Sequence, residues 1–387
     1  MTKNIKSITN PKLRLEVLTP QEVQQIHAAT LWIIEHVGVR FPSSRALEIW
    51  QAHGATVDAE RQVVRAKPEL IEEALKHCPP AYTLAARSPE QDLPLDGNHV
   101  YLGTDGCGVE VIDIHSGIRR SSVLQDVADI SRLADATEEV AFHWVPVSAQ
   151  DKPAETRGLY EVRAIWENST KHVQTESIYN DREARAAIEM AALLAGGTEA
   201  LRQRPLLSLM QCSASPLGHD GGSVDAALVA AEYGIPTGFM TMAANLTTGP
   251  ATLAGNLAVG NAEVIAATAL LQLAFPGAPV FYAAAQTASD LRTGAYTGGG
   301  PEDFLYGAAT NVLADFYNIP LSMGSFATGA KEPNWQAGLE NSLSTFMASV
   351  VMADMLLGCG FLHGSRIWSF AEMMLDCELV SIIHTVL

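Results

Sequence analysis

The sequence predicts an α/β protein: a closed (β/α)8 TIM barrel with an N-terminal helical extension. Short apolar segments rich in Val, Leu, Phe and Met recur eight times from residue 99 onward. Their starts lie roughly 30 to 43 residues apart, the length of a strand, a helix and two loops. The apolar runs are continuous rather than alternating, as strands covered on both faces require. An open doubly wound sheet is the alternative, and it calls for a phosphate-binding glycine turn after an early strand. The one glycine cluster at a helix start, Gly298-Gly299-Gly300-Pro301-Glu302-Asp303, puts a proline and two carboxylates on the first helical turn. Those acids complement the helix dipole and repel a phosphate, so the cluster reads as a helix entry.

Residues 1–98 form the predicted extension and 99–387 the barrel. Within the extension, Thr19 caps a helix with Pro20 in its first turn, and Pro42-Ser43-Ser44 opens a second. Residues 54–57 and 62–64 read as a short hairpin and 68–77 as a further helix. The predicted barrel strands are 100–103, 140–147, 172–177, 206–212, 237–242, 279–285, 321–325 and 357–362. Helices are plainest at 181–195, 223–233, 251–275, 301–317 and 335–355. Residues 369–387 read as one last helix ending on an apolar Val-Leu, which suggests a curtailed end to the barrel.

Composition narrows the function classes. With 48% hydrophobic residues the chain has ample material for a core. The longest apolar stretch, 346–362, is broken by Asp354, Gly358 and Gly360 and falls short of the roughly 20 apolar residues of a membrane span. The polar first 18 residues lack a secretory leader pattern, so a cytoplasmic location and no membrane partner are expected. A net charge of -18 argues against nucleic acid. Five scattered cysteines without a CxxC pair indicate neither a disulfide frame nor a zinc ribbon.

In a (β/α)8 barrel the reacting groups stand at the carboxyl ends of the strands. That rule selects Tyr101, Thr104, Asp105 and Cys107 after the first strand, His143 and Trp144 after the second, and Gln174 and Glu176 after the third. Cys212 and Ser215, Met242 and Asn245, and Tyr282 and Gln286 follow on the next three. Ser325, Phe326, Thr328 and Lys331 belong to the seventh; His363, Ser365 and Arg366 to the eighth, with Trp368 and Phe370 behind. The expectation is a mouth with few ionisable groups, lined by rings, Met and small residues. Asp105 and Glu176 would be the carboxylate pair of a sugar-cleaving barrel, Lys331 the amine of a Schiff-base lyase, and Cys212, Cys359 and His363 the ligands of a zinc site. Against each stands a plain structural use: loop hydrogen bonds, a surface loop, and thiol packing in the core.

One stretch, Gly-Ser-Phe-Ala-Thr-Gly-Ala-Lys-Glu-Pro-Asn-Trp-Gln-Ala-Gly-Leu-Glu at 324–340, carries a resemblance. With Gly300-Pro301-Glu302 before it, and Gly103-Thr104-Asp105-Gly106-Cys107-Gly108 followed by Asp113, Gly117 and Arg119-Arg120, it resembles the trimethylamine methyltransferase family. The likeness runs from about residue 18 to 387. It implies a barrel that binds a methylated amine at its mouth and passes one methyl to the cobalt(I) of a separate corrinoid protein. Cobalamin would then belong to the partner, with no tightly bound cofactor and no metal in this chain, and a homo-oligomer is expected. Founding members carry pyrrolysine on the strand matching 321–326, where every residue here is standard. That departure points to the branch acting on quaternary amines such as glycine betaine, proline betaine or carnitine. A zinc-dependent corrinoid methyltransferase of another substrate class and a non-catalytic betaine-binding barrel are the alternatives.

A quaternary nitrogen leaves as a neutral amine without protonation, so the protein has to grip and aim. Aromatic faces grip an onium group, which nominates Tyr101, Trp144, Tyr282, Phe326, Trp335 and Phe370. Asp105, Gln174, Gln286 and Lys331 are polar candidates at the mouth. His363 and Arg366 would hold a substrate carboxylate, the arginine with bidentate geometry.

Overall fold

In the computed structural model, residues 5–9, 11, 13, 15–106, 108–294, 297–326 and 328–387 are described. Cys107, one of the strand-end candidates, lies outside them.

Eight parallel strands close on themselves. They are β1 (His99–Thr104), β2 (Val140–Trp144), β3 (His172–Thr175), β4 (Leu207–Cys212), β5 (Thr237–Thr241), β6 (Val280–Ala284), β7 (Leu321–Gly324) and β8 (Met355–Cys359). Each pairs with the next, and β8 pairs with β1 through Met355↔Tyr101 and Cys359↔Thr104. The helices that return the chain are α1 (Leu124–Ala136), α2 (Arg157–Asn168), α3 (Asp181–Ala195), α4 (Gly221–Glu232), α5 (Leu253–Ala274), α6 (Pro301–Tyr317), α7 (Trp335–Val350) and α8 (Phe370–Val386). The expected barrel is therefore the observed one.

Strand parity divides the core. On β6, Phe281 and Ala283 face the barrel axis with Tyr101, Phe142, Met210, Met240, Met355 and Leu357, whereas Val280, Tyr282 and Ala284 face the helix layer. A hairpin absent from the expected elements, Tyr82–Leu84 with Leu93–Leu95, brings Leu84, Leu93 and Leu95 into the axial cluster. The Tyr82 hydroxyl donates to the carbonyl of Val280, at the start of β6, which places this plug at the amino end of the barrel. The opposite end stays available for ligand.

Helix starts follow local chemistry. Thr19 forms the capping box with Glu22 ahead of Pro20–Trp32, and Asn334 accepts from the amides of Gln336 and Ala337 at the start of α7. Pro301 opens α6, and the Asp303 carboxylate accepts from Gly300 N at 3.1 Å, the use expected for that glycine cluster. Helix α5 is apolar around most of its circumference because it is covered on two sides. The helices Pro20–Trp32, Ser44–Ala52 and Pro68–Leu75 pack against it from outside the barrel. Its length and hydropathy would suit a membrane span, yet 83% of that window is buried within the fold.

Candidate active site

A cavity of about 770 Å³ lies at the carboxyl ends of the strands. Its floor is buried: Asp105 and Gly106 follow β1, Trp144 ends β2, Glu176 follows β3, and Met240 and Leu357 rise from β5 and β8. Its rim is exposed at Met242, Lys331, Gln336 and Arg366. Of the sequence-selected site residues, the fold brings Asp105, Trp144, Lys331, His363 and Arg366 together here.

The remaining seven lie elsewhere. Tyr101 is buried within the barrel below the mouth, stacked on His99. Gln174 also points inward, its amide donating to Ser208 Oγ at 3.3 Å. Tyr282 has the opposite parity and donates its hydroxyl to Asn261 Oδ1 of α5 at 3.0 Å. Gln286 turns behind the sheet and donates to the carbonyl of Asn256 at 2.7 Å. Phe326 is fully buried among residues of the outer core, where a Cβ on Gly358 would touch it. Trp335 stands 80% exposed at the start of α7, and Phe370 packs half-buried against the outer core. Of the six rings nominated as an onium cage, Trp144 alone lines the cavity.

The expectation of a sparsely charged, ring-lined mouth is thereby corrected: Asp105, Glu176 and Asp290 contribute carboxylates, and Lys331 and Arg366 contribute cations. The charges are segregated. Burial pushes Asp105 up to about 6, while hydrogen bonds from Ser365 Oγ at 2.5 Å and Gly106 N at 2.8 Å hold it partly down. Glu176 lies beside Cys212, with Oε2 and Sγ 3.9 Å apart. Burial, with Glu176 and Asp105 nearby, raises the Cys212 thiol far above its ordinary value, so it stays protonated.

Next to Asp105, beyond β8, His363, Gly364 and Ser365 follow one another in left-handed backbone, with φ of 57°, 60° and 62°. For the two that carry side chains this costs on the order of 1–2 kcal/mol each. Bonds from His363 N to the Ala330 carbonyl at 2.7 Å and from Gly364 N to the Thr328 carbonyl at 2.9 Å hold the turn. Burial and then the charges of Lys331, Arg119 and Arg366 push His363 down, leaving a neutral ring in a basic neighbourhood. Arg366 Nε donates to Glu110 Oε2 at 3.1 Å, and Arg119 bonds the same oxygen. A small sheet that the sequence did not reveal holds this pair: Glu110–Ile112 runs parallel to Ile367–Ser369 and antiparallel to Arg119–Ser121.

The zinc reading loses its ligand set. Cys359 faces outward, its Sγ 3.9 Å from the Met373 carbonyl of α8, while Cys212 and His363 line the cavity. Among the described residues no group of three His, Cys, Asp or Glu side chains is placed to hold a metal ion. Glu176, Cys212, Met242, Ser325 and Ser365 line the cavity and were visible as strand-end residues, although none was selected to grip or orient a methylated amine. Met240 was missed because it sits within a strand, with nothing to distinguish it from core.

A closed parallel barrel with a solvent-open, largely apolar cavity carrying a few charged groups at the carboxyl ends of its strands defines an enzyme that handles a small molecule. The chain belongs to the trimethylamine methyltransferase (MTTB) family, which matches it over residues 1–387, and is a methyltransferase. It is 33% identical over 363 residues to trimethylamine methyltransferase MttB of Desulfitobacterium hafniense, covering 94% of this chain and 73% of that one. It is 31% identical over 372 residues to a glycine betaine methyltransferase of Desulfitobacterium hafniense strain Y51, covering 96% and 77%. Among solved structures it resembles Methanosarcina barkeri monomethylamine methyltransferase, with a TM-score of 0.61, 12% identity, and 95% and 81% of the two chains covered. That likeness concerns the fold alone.

Proposed function

We propose that this methyltransferase moves a methyl group from a small quaternary amine, of the glycine betaine, proline betaine or carnitine type, to the cobalt(I) of a separate corrinoid protein. The observation that carries the reading is the segregation of charge within one cavity. Carboxylates of Asp105 and Glu176 lie buried on the floor, whereas the cations of Lys331 and Arg366 stand exposed on the rim beyond β7 and β8. A zwitterion with an onium group at one end and a carboxylate at the other complements both regions at once. Trimethylamine has no carboxylate to offer the cations of the rim. The standard residues along 321–326 and the 31% identity to a glycine betaine methyltransferase support the same choice.

The chain's own groups bind and orient. Asp105 and Glu176 attract the onium group, and the basic side anchors the carboxylate, so that the methyl to be lost has one orientation. The positive charge on nitrogen disappears as the methyl leaves, so an over-tight grip on the cation would slow transfer. Burial, which draws Asp105 toward its neutral form, moderates that grip. The corrinoid supplies the nucleophile that accepts the methyl group. The exposed rim suits a carrier protein, and Leu291 and Trp335, 75% and 80% exposed, flank lining residues where one would rest. We read the enzyme as cytoplasmic, and as homo-oligomeric because its resemblance implies it.

The test supplies the purified chain with a reduced corrinoid carrier and each of glycine betaine, proline betaine, carnitine and trimethylamine. Demethylation of a betaine in preference to trimethylamine is expected. Binding without transfer to a competent carrier would indicate a non-catalytic receptor, and neither binding nor transfer across the panel would overturn the proposal.

A further inference from the structure

Beside the main cavity lies a chamber of about 30 Å³, lined by the carboxyl ends of β6 and β7, the first turns of α6 and Ser344 of α7. It shares Ala285, Gly324 and Ser325 with that cavity. The lining side chains that can donate are Gln286, Tyr306, Ser325 and Ser344, and each donor group is engaged elsewhere. Gln286 Nε2 donates to the Asn256 carbonyl at 2.7 Å, Ser325 Oγ to the Leu357 carbonyl at 3.0 Å and Ser344 Oγ to the Asn341 carbonyl at 3.1 Å. The Tyr306 hydroxyl donates to Asn245 Oδ1. Acceptors are what remain. Gln286 is 4% exposed, and its Oε1 is buried without a partner among the described residues. Asp303 accepts from Gly300 N through Oδ2 at 3.1 Å, while its Oδ1 is buried and likewise without a partner. Thr287 lies near enough to draw this carboxyl down, but its hydroxyl donates to the Ala288 carbonyl at 3.2 Å. A bare buried acceptor is costly, and a charged one more so, and these two oxygens line one small space.

Size and charge narrow what fills it. One water-sized particle needs roughly 10–15 Å³ of such space, so a small bare ion fits and a trimethylammonium group does not. An anion would meet acceptors only. A divalent ion calls for about six to eight oxygens or keeps several of its waters, and the chamber has room for neither. One carboxylate with neutral oxygens suits a single positive charge. The hydroxyls of Ser325 and Ser344 can add ligands, because a hydroxyl that donates still accepts. We propose that the chamber between Asp303 and Gln286 is a monovalent-cation site, which takes one desolvated sodium or potassium ion and ties the start of α6 to the ends of β6 and β7. Gly324 and Ser325 wall both spaces, so the ion braces the substrate cavity from behind. The assignment is independent of which amine gives up its methyl group.

Thermal melting of the full chain in the chlorides of N-methylglucamine, lithium, sodium, potassium and caesium, at one ionic strength, reads the site without substrate or carrier protein. Sodium or potassium should raise the melting temperature by several degrees over N-methylglucamine, with a rise that grows as the logarithm of ion concentration once the site is filled. Caesium, too large for the chamber, should not. Asp303→Asn keeps the shape of the side chain and should abolish the dependence. Crystals of the wild type soaked in thallium(I) acetate give a reading that needs no variant to fold. Thallium enters alkali-ion sites and scatters anomalously, so it should appear between Asp303 and Gln286. Equal melting temperatures in all five salts would mean that a water or a shared proton joins the two oxygens, and would overturn the assignment. An alkali effect that persists in Asp303→Asn, or thallium absent from the chamber, would place any ion elsewhere and overturn it as well.

Discussion

Ser365 acts on the cavity through one bond. Its hydroxyl donates to Asp105 Oδ2 at 2.5 Å and so favours the ionised form of a carboxyl that burial raises to about 6. Removing the donor in Ser365→Ala should raise Asp105 further, leaving it more protonated near pH 7 and less attractive to an onium group. The KM for a betaine should therefore rise several-fold at about pH 6.5 to 7 and return toward the wild-type value by about pH 8.5, where Asp105 ionises in both proteins. A KM equally raised at every pH would mean that Ser365 shapes the left-handed turn rather than charging Asp105. Residues such as Asp105, Trp144, Lys331, His363 and Arg366 were legible in the sequence because the strand-end rule gives height along the barrel axis. Tyr282 and Gln286 were selected with the residues of β6, but the rule does not tell which face a side chain takes, and both turned toward the helices.

Parity is thus a property of elements, and so is much of the polar network that locks them. Asn341 of α7 donates to Glu372 Oε1 at 3.0 Å and to Asp376 Oδ1 at 2.9 Å on α8, and Gly360 N beyond β8 donates to Asp376 Oδ2 at 2.8 Å. Burial, followed by the charge of Glu372, pushes Asp376 well above the usual carboxylate range, so the pair keeps a proton near neutrality. Asn341→Leu leaves two buried carboxyls short of a donor and should cost about 2–4 kcal/mol. Urea unfolding would read that loss as a lower midpoint with an unchanged slope. Betaine binding should persist, because none of these residues lines the cavity. A variant of wild-type stability would show that the carboxyls satisfy each other by sharing the proton. The eight strands and the longer helices were legible because each is a sustained apolar run with its own period. The Glu110–Ile112 and Ile367–Ser369 pairing was not, since strands of three residues more than 250 positions apart leave no local pattern.

For the molecule as a whole, two sets of buried ionisable groups make opposite demands on pH. Burial raises Asp105, Asp303 and Asp354 to about 6 each and Glu372 to about 7, and it raises Asp376 well above the usual carboxylate range. The folded chain therefore retains protons that the unfolded chain has lost, and this contribution to stability declines as pH rises through those values. Burial also pushes His143 down to about 3 and His172 and His219 to about 4. Below about pH 6.5 the unfolded chain takes up protons on these rings that the folded chain refuses, so their contribution declines as pH falls. Above that point the rings are neutral in both states and the acids alone set the slope. The net charge of -18 adds self-repulsion in the same direction. Between about pH 4.5 and 6 the five acids outnumber the three rings, so the melting temperature should be highest at about pH 5 or below and fall as pH rises toward about pH 7.5. Calorimetric scans at fixed low salt would check it, and a melting temperature that climbs between about pH 6.5 and 8 would show that these carboxyls already ionise in the folded protein at neutral pH.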